Sequence, residues 1–456
     1  MRWPGRSIVL ATVLVLGVGM AGYATSYKIR EHQDAAPRPA TPAPSPPALA
    51  SAIAVPIMPA SSAAPVPSVA GLSGALARAL ADPRLGSRLL AEVQDPATGA
   101  TLLRRGGLTP AAPASTAKIA TAVALLTVHT PTDRLSTRIV AGTTVGTVVL
   151  VGGGDPTLSA ARVGTPTRYA GAARIADLAS QLRAAGVVPT RVLVDTSLFA
   201  GPAVSPNWAG EDVPSSYAAP ITAAMLDGAR DAPSTATRSV DPAGAAGRAV
   251  ARELGLPPTA VGVGRATAGA RALATVQSPP LSAVVEQMLE QSDNVIAECL
   301  ARQVALATGA PPSFAGAATA VRTVLARFGV DIGAGMVDGS GLAASDRLTP
   351  ATLAALLRLA VTQPTLGTVL AGLPVAGWTG TLANRFLRSS ALGVVRAKTG
   401  TLTSVSTLAG VVHDKDGRLL SFVLIADRVG PTHADTVAAQ AALDAVATAL
   451  AGCGCG

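Results

Sequence analysis

The chain has 456 residues, with 36 Lys plus Arg against 27 Asp plus Glu, so its formal net charge is +9. Only four of the basic residues are lysines (Lys28, Lys118, Lys398 and Lys415); the rest are arginines in a chain rich in Ala, Gly and Pro. No dense basic run with interleaved aromatics accompanies this charge, which argues against nucleic acid as a partner. At 49% hydrophobic and 14% charged residues, the composition supports a large core spread over two or three domains.

Arg2 and Arg6 precede an uncharged apolar run from Ile8 to Tyr23, with Lys28 and Arg30 after it. The pattern fits a retained membrane anchor or a cleaved export signal over residues 1–34, and either one places the remainder outside the cytoplasm. Residues 35–68 contain ten prolines and one charged side chain, Arg38. Such a stretch is expected to be an extended, disordered linker.

Folded chain is expected from residue 69. Leu72–Ala81 has helical spacing, and Arg88–Arg105 reads as two strands around the turn Asp95-Pro96-Ala97-Thr98-Gly99. Ser115–Val128 reads as a helix and Leu135–Leu150 as strands. Ala170–Ala185 reads as a helix, followed by a strand at Arg191–Val194. A long helical region, Ser282–Thr308, breaks near Ser292. Helices follow at Ala317–Phe328 and Pro350–Val361. Val394–Asp427 reads as two strands across the turn at Asp414–Gly417, and Ala434–Leu450 as a terminal helix. With no strict βαβ cadence, this predicts an α+β or mixed α/β protein with an antiparallel sheet at its C-terminal end.

Three short motifs carry chemistry. In Ser115-Thr116-Ala117-Lys118 the serine and lysine stand three apart, so a helix puts them on one face. Lys118 is the only formal charge between Arg105 and Asp133. A lysine in such apolar surroundings has a lowered pKa and can act as a base toward a hydroxyl. The N–H groups at a helix start suit a developing oxyanion. Taken singly, the motif also reads as a helix cap with a snorkelling lysine. Ser292-Asp293-Asn294 falls at the break in the long helix and alone reads as a cap. Lys398-Thr399-Gly400 follows a strand, where a lone lysine ordinarily guards an edge. Together and in this order, S-x-x-K, S-D-N and K-T-G are the combination of penicillin-binding proteins and class A β-lactamases.

The chain resembles the class C low-molecular-mass penicillin-binding proteins, the D-alanyl-D-alanine carboxypeptidase/endopeptidase family. Further stretches carry the likeness: Gly152-Gly153-Gly154-Asp155-Pro156-Thr157-Leu158, Tyr217-Ala218-Ala219-Pro220-Ile221, Asp338-Gly339-Ser340-Gly341-Leu342 and Arg347-Leu348-Thr349-Pro350. The resemblance implies a serine transpeptidase/β-lactamase-like domain split in two, residues 69–134 and 276–452. Between them would lie an inserted, mainly β or mixed region, 135–275, and a tail, 453–456, would follow. It implies an enzyme of the cell envelope that acts on peptidoglycan stem peptides and is acylated by β-lactam antibiotics. Ser115 would be the nucleophile, Lys118 its base, Ser292 a proton relay to the leaving amine, and Asn294 an orienting group. Lys398 would add positive potential. Thr399, Gly400, Thr401, Leu402 and Thr403 would help bind substrate, with the N–H groups of Ser115 and Thr401 as the oxyanion hole. Asp155 would reach the site from the insert and read a free amine on the stem peptide. Relatives often carry an arginine soon after D-G-S-G-L, whereas this chain reads Ala343-Ala344-Ser345 there.

Two other readings are weaker. A class A β-lactamase would need a glutamate and asparagine in an E-x-x-x-N loop between the second and third motifs, and Gly380 stands where the glutamate would be, four residues before Asn384. A non-catalytic envelope binding protein would not need an activated nucleophile. Neither metal nor cofactor is implied: His32, His129, His413 and His433 are scattered. Cys453 and Cys455 have no partners for a zinc site, and with Cys299 they do not make a disulfide scaffold.

Overall fold

The computed structural model describes residues 64–455. The segment 1–34 and most of the linker 35–68 lie outside the described residues. In chain order the elements are α1 (Val69–Leu80), β1 (Leu89–Gln94), β2 (Thr101–Arg105), α2 (Lys118–Val128), β3 (Ser136–Ala141), β4 (Thr147–Val151), α3 (Ile175–Ala184) and β5 (Arg191–Asp195). There follow α4 (Pro242–Glu253), β6 (Val261–Val263), β7 (Ala272–Gln277), α5 (Leu281–Gln291), α6 (Asn294–Ala307), α7 (Phe314–Ala326) and α8 (Pro350–Thr362). The chain continues through α9 (Gly367–Ala371), β8 (Arg396–Leu402), β9 (Val405–His413), β10 (Leu419–Ala426) and α10 (His433–Ala451).

Five strands make an antiparallel sheet in the order β2-β1-β10-β9-β8. Its central strand, Leu419–Ala426, is buried throughout. Leu419, Val423 and Ile425 pack into a core with α2 and α5–α8. Leu420, Phe422, Leu424 and Ala426 face a second core, under α1 and α10. Period-two side-chain alternation on a strand covered on both faces explains why the run LLSFVLIA carries almost no polar residue. The expected two strands of Val394–Asp427 are three. A tight turn after Leu402, with Ser404 at φ +61°, folds β8 onto β9 before the Asp414–Gly417 turn.

Residues Ser136–Gln277 build a second sheet, order β6-β5-β4-β3-β7. Here β4, β5 and β6 run parallel, connected through α3 and α4, and β3 pairs antiparallel with β4 and β7. A βαβαβ cadence therefore exists, contrary to the expectation of none. The long stretch 196–241 between β5 and α4 conceals it. Leu150, Val192, Val194, Leu178 and Val250 fill the core of this layer.

Several helices begin where side chains satisfy their free N–H groups. Asp293 caps α6 by accepting from Val295 and Ile296 N–H, and Thr349 caps α8 ahead of Pro350. Thr432 and Asp435 form a reciprocal capping box on α10. Cys453 and Cys455 are joined as a disulfide two residues apart, so no long-range bridge forms. Among the described residues, no single helix is long and apolar enough to cross a membrane.

Candidate active site

Ser115 lies on a 3₁₀ turn, Ala114–Ala117, that runs directly into α2. The residue before it, Ala114, has φ +46°, a conformation L-residues hold only when their surroundings impose it. Two glycines impose it. A Cβ on Gly341 would fall 1.9 Å from the Ala114 carbonyl oxygen, and one on Gly400 would fall 2.8 Å from the Pro113 oxygen. Thr407 Oγ1 adds a hydrogen bond to Pro113 O at 3.0 Å. Gly400 thus acts through backbone approach, as its place on the edge strand β8 allows.

Lys118 is fully buried. Its Nζ lies 2.9 Å from Ser115 Oγ, 2.5 Å from Asn294 Oδ1 and 2.7 Å from the Ser340 carbonyl oxygen. A neutral amine has two N–H groups and one lone pair. With Asn294 Oδ1 and Ser340 O taking the two N–H groups, the lone pair is left for the Ser115 hydroxyl proton. Burial pulls the Lys118 pKa down to about 8, against the opposing charges of Asp338, Glu298, Asp293 and Asp346.

Ser292 closes α5 in the left-handed conformation, φ 56°, which turns its side chain out of the helix line. Its Oγ accepts from Lys398 Nζ at 2.9 Å, and the same amine donates to Thr399 O. Lys398 is fully buried; burial, then the charges of Lys118 and Arg385, hold its pKa well below the usual lysine range. Thr399 Oγ1 donates to Thr381 Oγ1 at 2.8 Å. Ser115, Ser292, Asn294, Thr399, Thr401 and Leu402 line one cleft of about 320 Å³, a size suited to a small peptide end. Tyr217, Arg168, Arg230 and Arg238 reach the same cleft from the second sheet's layer.

The pattern of the D-Ala-D-Ala carboxypeptidase 3 (S13) family matches residues 72–237 and 229–450. The chain belongs to this family. It is 46% identical over 424 residues to carboxypeptidase Rv3627c of Mycobacterium tuberculosis, covering 91% of this chain and 90% of that one. It is 44% identical to carboxypeptidase DacB of Mycolicibacterium smegmatis, covering 100% and 99%. Penicillin binding protein 4 (dacB) of Haemophilus influenzae shares the fold, with a TM-score of 0.66 at 22% identity over 82% of this chain and 98% of that one; it has also been solved complexed with a β-lactam. This peptidase is therefore a hydrolase of the cell envelope, a serine-type D-Ala-D-Ala carboxypeptidase.

Three expected binding residues of this S13 peptidase do not line the cleft: Gly400, which meets the Pro113 backbone instead, Asp155 and Thr403. Asp155 is buried, and its carboxylate accepts from Thr157 N–H at 2.8 Å and Thr157 Oγ1 at 2.6 Å. Gly154, at φ +76°, packs against Gln303 and Phe199, so the Gly-rich turn closes on itself and on α6 instead of opening to substrate. Burial raises the Asp155 pKa to about 6, against the hydrogen bonds from Thr157 and Leu158. Thr403 stands past the end of β8, exposed in the turn. Arg347 turns back onto the carbonyls of Ala344 and Asp346 and does not line the cleft.

Other partners carried no sequence signal of their own. Arg230 and Arg238 lie 3.2 and 3.1 Å from Asp293 Oδ2, and Tyr169 donates to the same oxygen at 2.8 Å. Burial would raise the Asp293 pKa; Arg238 and Arg230 overcome this and hold it well below the carboxylate range. Asn294 Nδ2 donates to Tyr217 O. Residues more than fifty positions upstream thus fasten both Asp293 and Asn294. Of these residues, the sequence singles out only Tyr217, which opens the stretch Tyr217–Ile221.

Proposed function

We propose that this chain cleaves the terminal D-Ala from peptidoglycan stem peptides through an acyl-enzyme on Ser115. Ser115 Oγ attacks the carbonyl carbon of the penultimate D-Ala while Lys118 Nζ takes the hydroxyl proton. The N–H groups of Ser115 and Thr401 stabilise the oxyanion. As the tetrahedral intermediate collapses, the C–N bond breaks and the leaving amine receives a proton by way of Ser292. Water then attacks the ester, with Lys118 again taking a proton, and frees Ser115. Thr399 hydrogen-bonds the substrate carboxylate, whose charge favours the ammonium form of Lys398 so that this residue supplies positive potential, and Leu402 forms a wall. The observation that carries this reading is the Ser115–Lys118 contact at 2.9 Å, with the amine's other two partners fixed.

A β-lactam forms the same ester, and a longer-lived one; the shared fold of a penicillin-binding protein solved with such a compound supports this. Residues 69–134 and 276–452 form the catalytic domain in this reading, with 135–275 inserted. The apolar run after Arg2 and Arg6 and the Pro-rich stretch 35–68 support export, with residues 1–34 either kept as an anchor or removed. Labelled penicillin is expected to acylate the wild type and leave Ser115→Ala unlabelled; a purified wild type that takes no label sinks the proposal. Release of D-Ala from a stem pentapeptide, compared with cleavage of a cross-linked dimer, ranks carboxypeptidase against endopeptidase action. The mass of the exported protein decides the fate of residues 1–34.

A further inference from the structure

Behind Lys118, away from the cleft, lies a cluster that the reaction above does not use. Glu298 and Arg302 come from α6, Asp338 and Asp346 from the loop before α8, and all four are buried. Four donors hold Asp338 in place, with two on each carboxylate oxygen: Ser340 N–H at 3.0 Å and Gly341 N–H at 2.6 Å, and Ala343 N–H at 2.8 Å and Trp208 Nε1 at 2.8 Å. Glu298 accepts from Gly339 N–H. Arg302 lies 3.7 Å from Glu298 Oε2, and its guanidinium is stacked 4.1 Å from the Phe314 ring centroid. Asp346 Oδ1 accepts from Val337 N–H at 2.7 Å. Its other oxygen, Oδ2, is buried with no donor, yet the Asp338 carboxyl stands within hydrogen-bonding reach of this side chain.

Three carboxylates against one guanidinium would leave two uncompensated negative charges in the interior, which a protein avoids by keeping a proton. One proton on Asp346 Oδ2 removes a charge and gives the unpartnered oxygen something to donate. We propose that Asp346 is a neutral carboxylic acid that donates its proton to the Asp338 carboxylate, and that this pair positions Lys118 through the 338–341 loop. The direction of the Asp346 pKa agrees: burial, then the charge of Asp338, raise it to about 10. The loop matters because the Ser340 carbonyl occupies one N–H of Lys118, and Gly341 lies beneath the Ala114 turn. Asp346 and Asp338 are positioning residues, and the proposal rests on Lys118 being the base toward Ser115.

Asp346→Asn tests it. An amide can accept from Val337 N–H and donate to Asp338 with no change of charge from the neutral acid. Asp346→Leu can do neither. The rate of Ser115 acylation by labelled penicillin is followed against pH for both variants in the full chain. Asp346→Leu is expected to lower that rate by about 10- to 100-fold, the cost of a small misplacement of reacting groups. Asp346→Asn is expected to restore it with the acid limb of the profile unmoved. The groups facing Lys118 are Asp338, Glu298, Asp293, Asp346 and Lys398. If Asp346 were charged, Asp346→Asn would remove one negative neighbour and shift the limb to lower pH, and that result overturns the proposal; so does Asp346→Leu acylating like wild type.

A second measurement does not need the leucine variant to fold. The wild-type infrared spectrum is expected to show a protonated-carboxyl stretch that Asp346→Asn lacks; its absence from wild type refutes the acid pair. A proton bound only in the folded state makes wild-type stability fall as pH rises above the ordinary carboxyl range, so the Tm gap to Asp346→Asn is expected to widen with pH. Wild type that keeps the band but takes no penicillin supports the acid pair and overturns the reading of Lys118 alone.

Discussion

Two buried aspartates flank the site, and their surroundings are opposite. Asp293 meets two guanidiniums and a phenol, all from residues upstream of α5, and is held as a carboxylate. Asp346 meets two other carboxyls and is pushed the other way. Burial acts on both in the same direction, so the partners alone decide the outcome. The first arrangement is a clamp with cations in excess that holds Ser292 and Asn294 at the mouth of the cleft. The second is a charge-deficient backing that holds Lys118 from behind. A base needs its amine free to lose a proton, and too many ionised carboxylates behind it would keep the ammonium. The protonated acid lets the loop be held tightly without adding that charge.

The largest effect is expected where the backing meets the reaction. Lys118→Met keeps an unbranched stem and removes the amine. Penicillin acylation should fall by about 10²- to 10⁴-fold, the range a positioned general base contributes. In wild type the acylation rate should climb with pH and level off above about 8, the pKa to which burial lowers Lys118. A flat profile between pH 6 and 9, a range on either side of the lysine titration, would mean another group takes the proton. Glu298→Gln sharpens this. Glu298 is raised to about 7 by burial and Asp338, so at higher pH it is charged and supports the ammonium. Removing it should lower the Lys118 pKa and move the acid limb down by about half to one pH unit.

The clamp is tested by leaving Asp293 buried without its partners. Arg230→Met with Arg238→Met should destabilise the protein by about 3–5 kcal/mol in denaturant unfolding, the usual cost of an uncompensated buried charge. The left-handed Ser292 would then lose what holds its neighbour, and acylation should fall with it. Unchanged stability would show that Asp293 can protonate or find water, and the contrast with Asp346 would disappear.

How much of this was legible follows from the same contrast. Lys118 and Lys398 stood out because lysine is nearly absent elsewhere and a tunable amine cannot be replaced by arginine. The helix break at Ser292 was visible because two apolar periodic runs met at S-D-N. Charge-based reading failed where partners are distant in sequence: nothing local marks Arg230, Arg238 or Tyr169 as partners of Asp293. The direction of the Asp155 side chain was not legible either, because a Gly-rich turn that presents a carboxylate and one that folds it back onto Thr157 share the same letters; the packing of Gly154 against Gln303 and Phe199 accompanies the second arrangement. The parallel strands of the second sheet were hidden for a related reason, since β5 and α4 are separated by residues 196–241 with no regular periodicity.

The smallest expected effect lies at the rim. Arg168 is exposed and lines the cleft, where among the described residues the only lining carboxylate is Asp293, outnumbered by its two arginine partners. The field at the mouth is therefore positive, and an anionic penicillin or peptide terminus is drawn in by it. Arg168→Gln should lower the second-order acylation rate by less than about fivefold, because an exposed charge is screened and entropically loose. The loss should shrink further as ionic strength shortens the reach of the charge to a few ångströms. Rim and clamp thus predict different signatures: the rim changes association and responds to salt, whereas the clamp changes folding stability and, being dry, hardly responds at all. An Arg168→Gln loss that persists in high salt would mean a direct contact with the reacting peptide, and Arg168, Arg230 and Arg238 would then divide between recognition and support at a different residue.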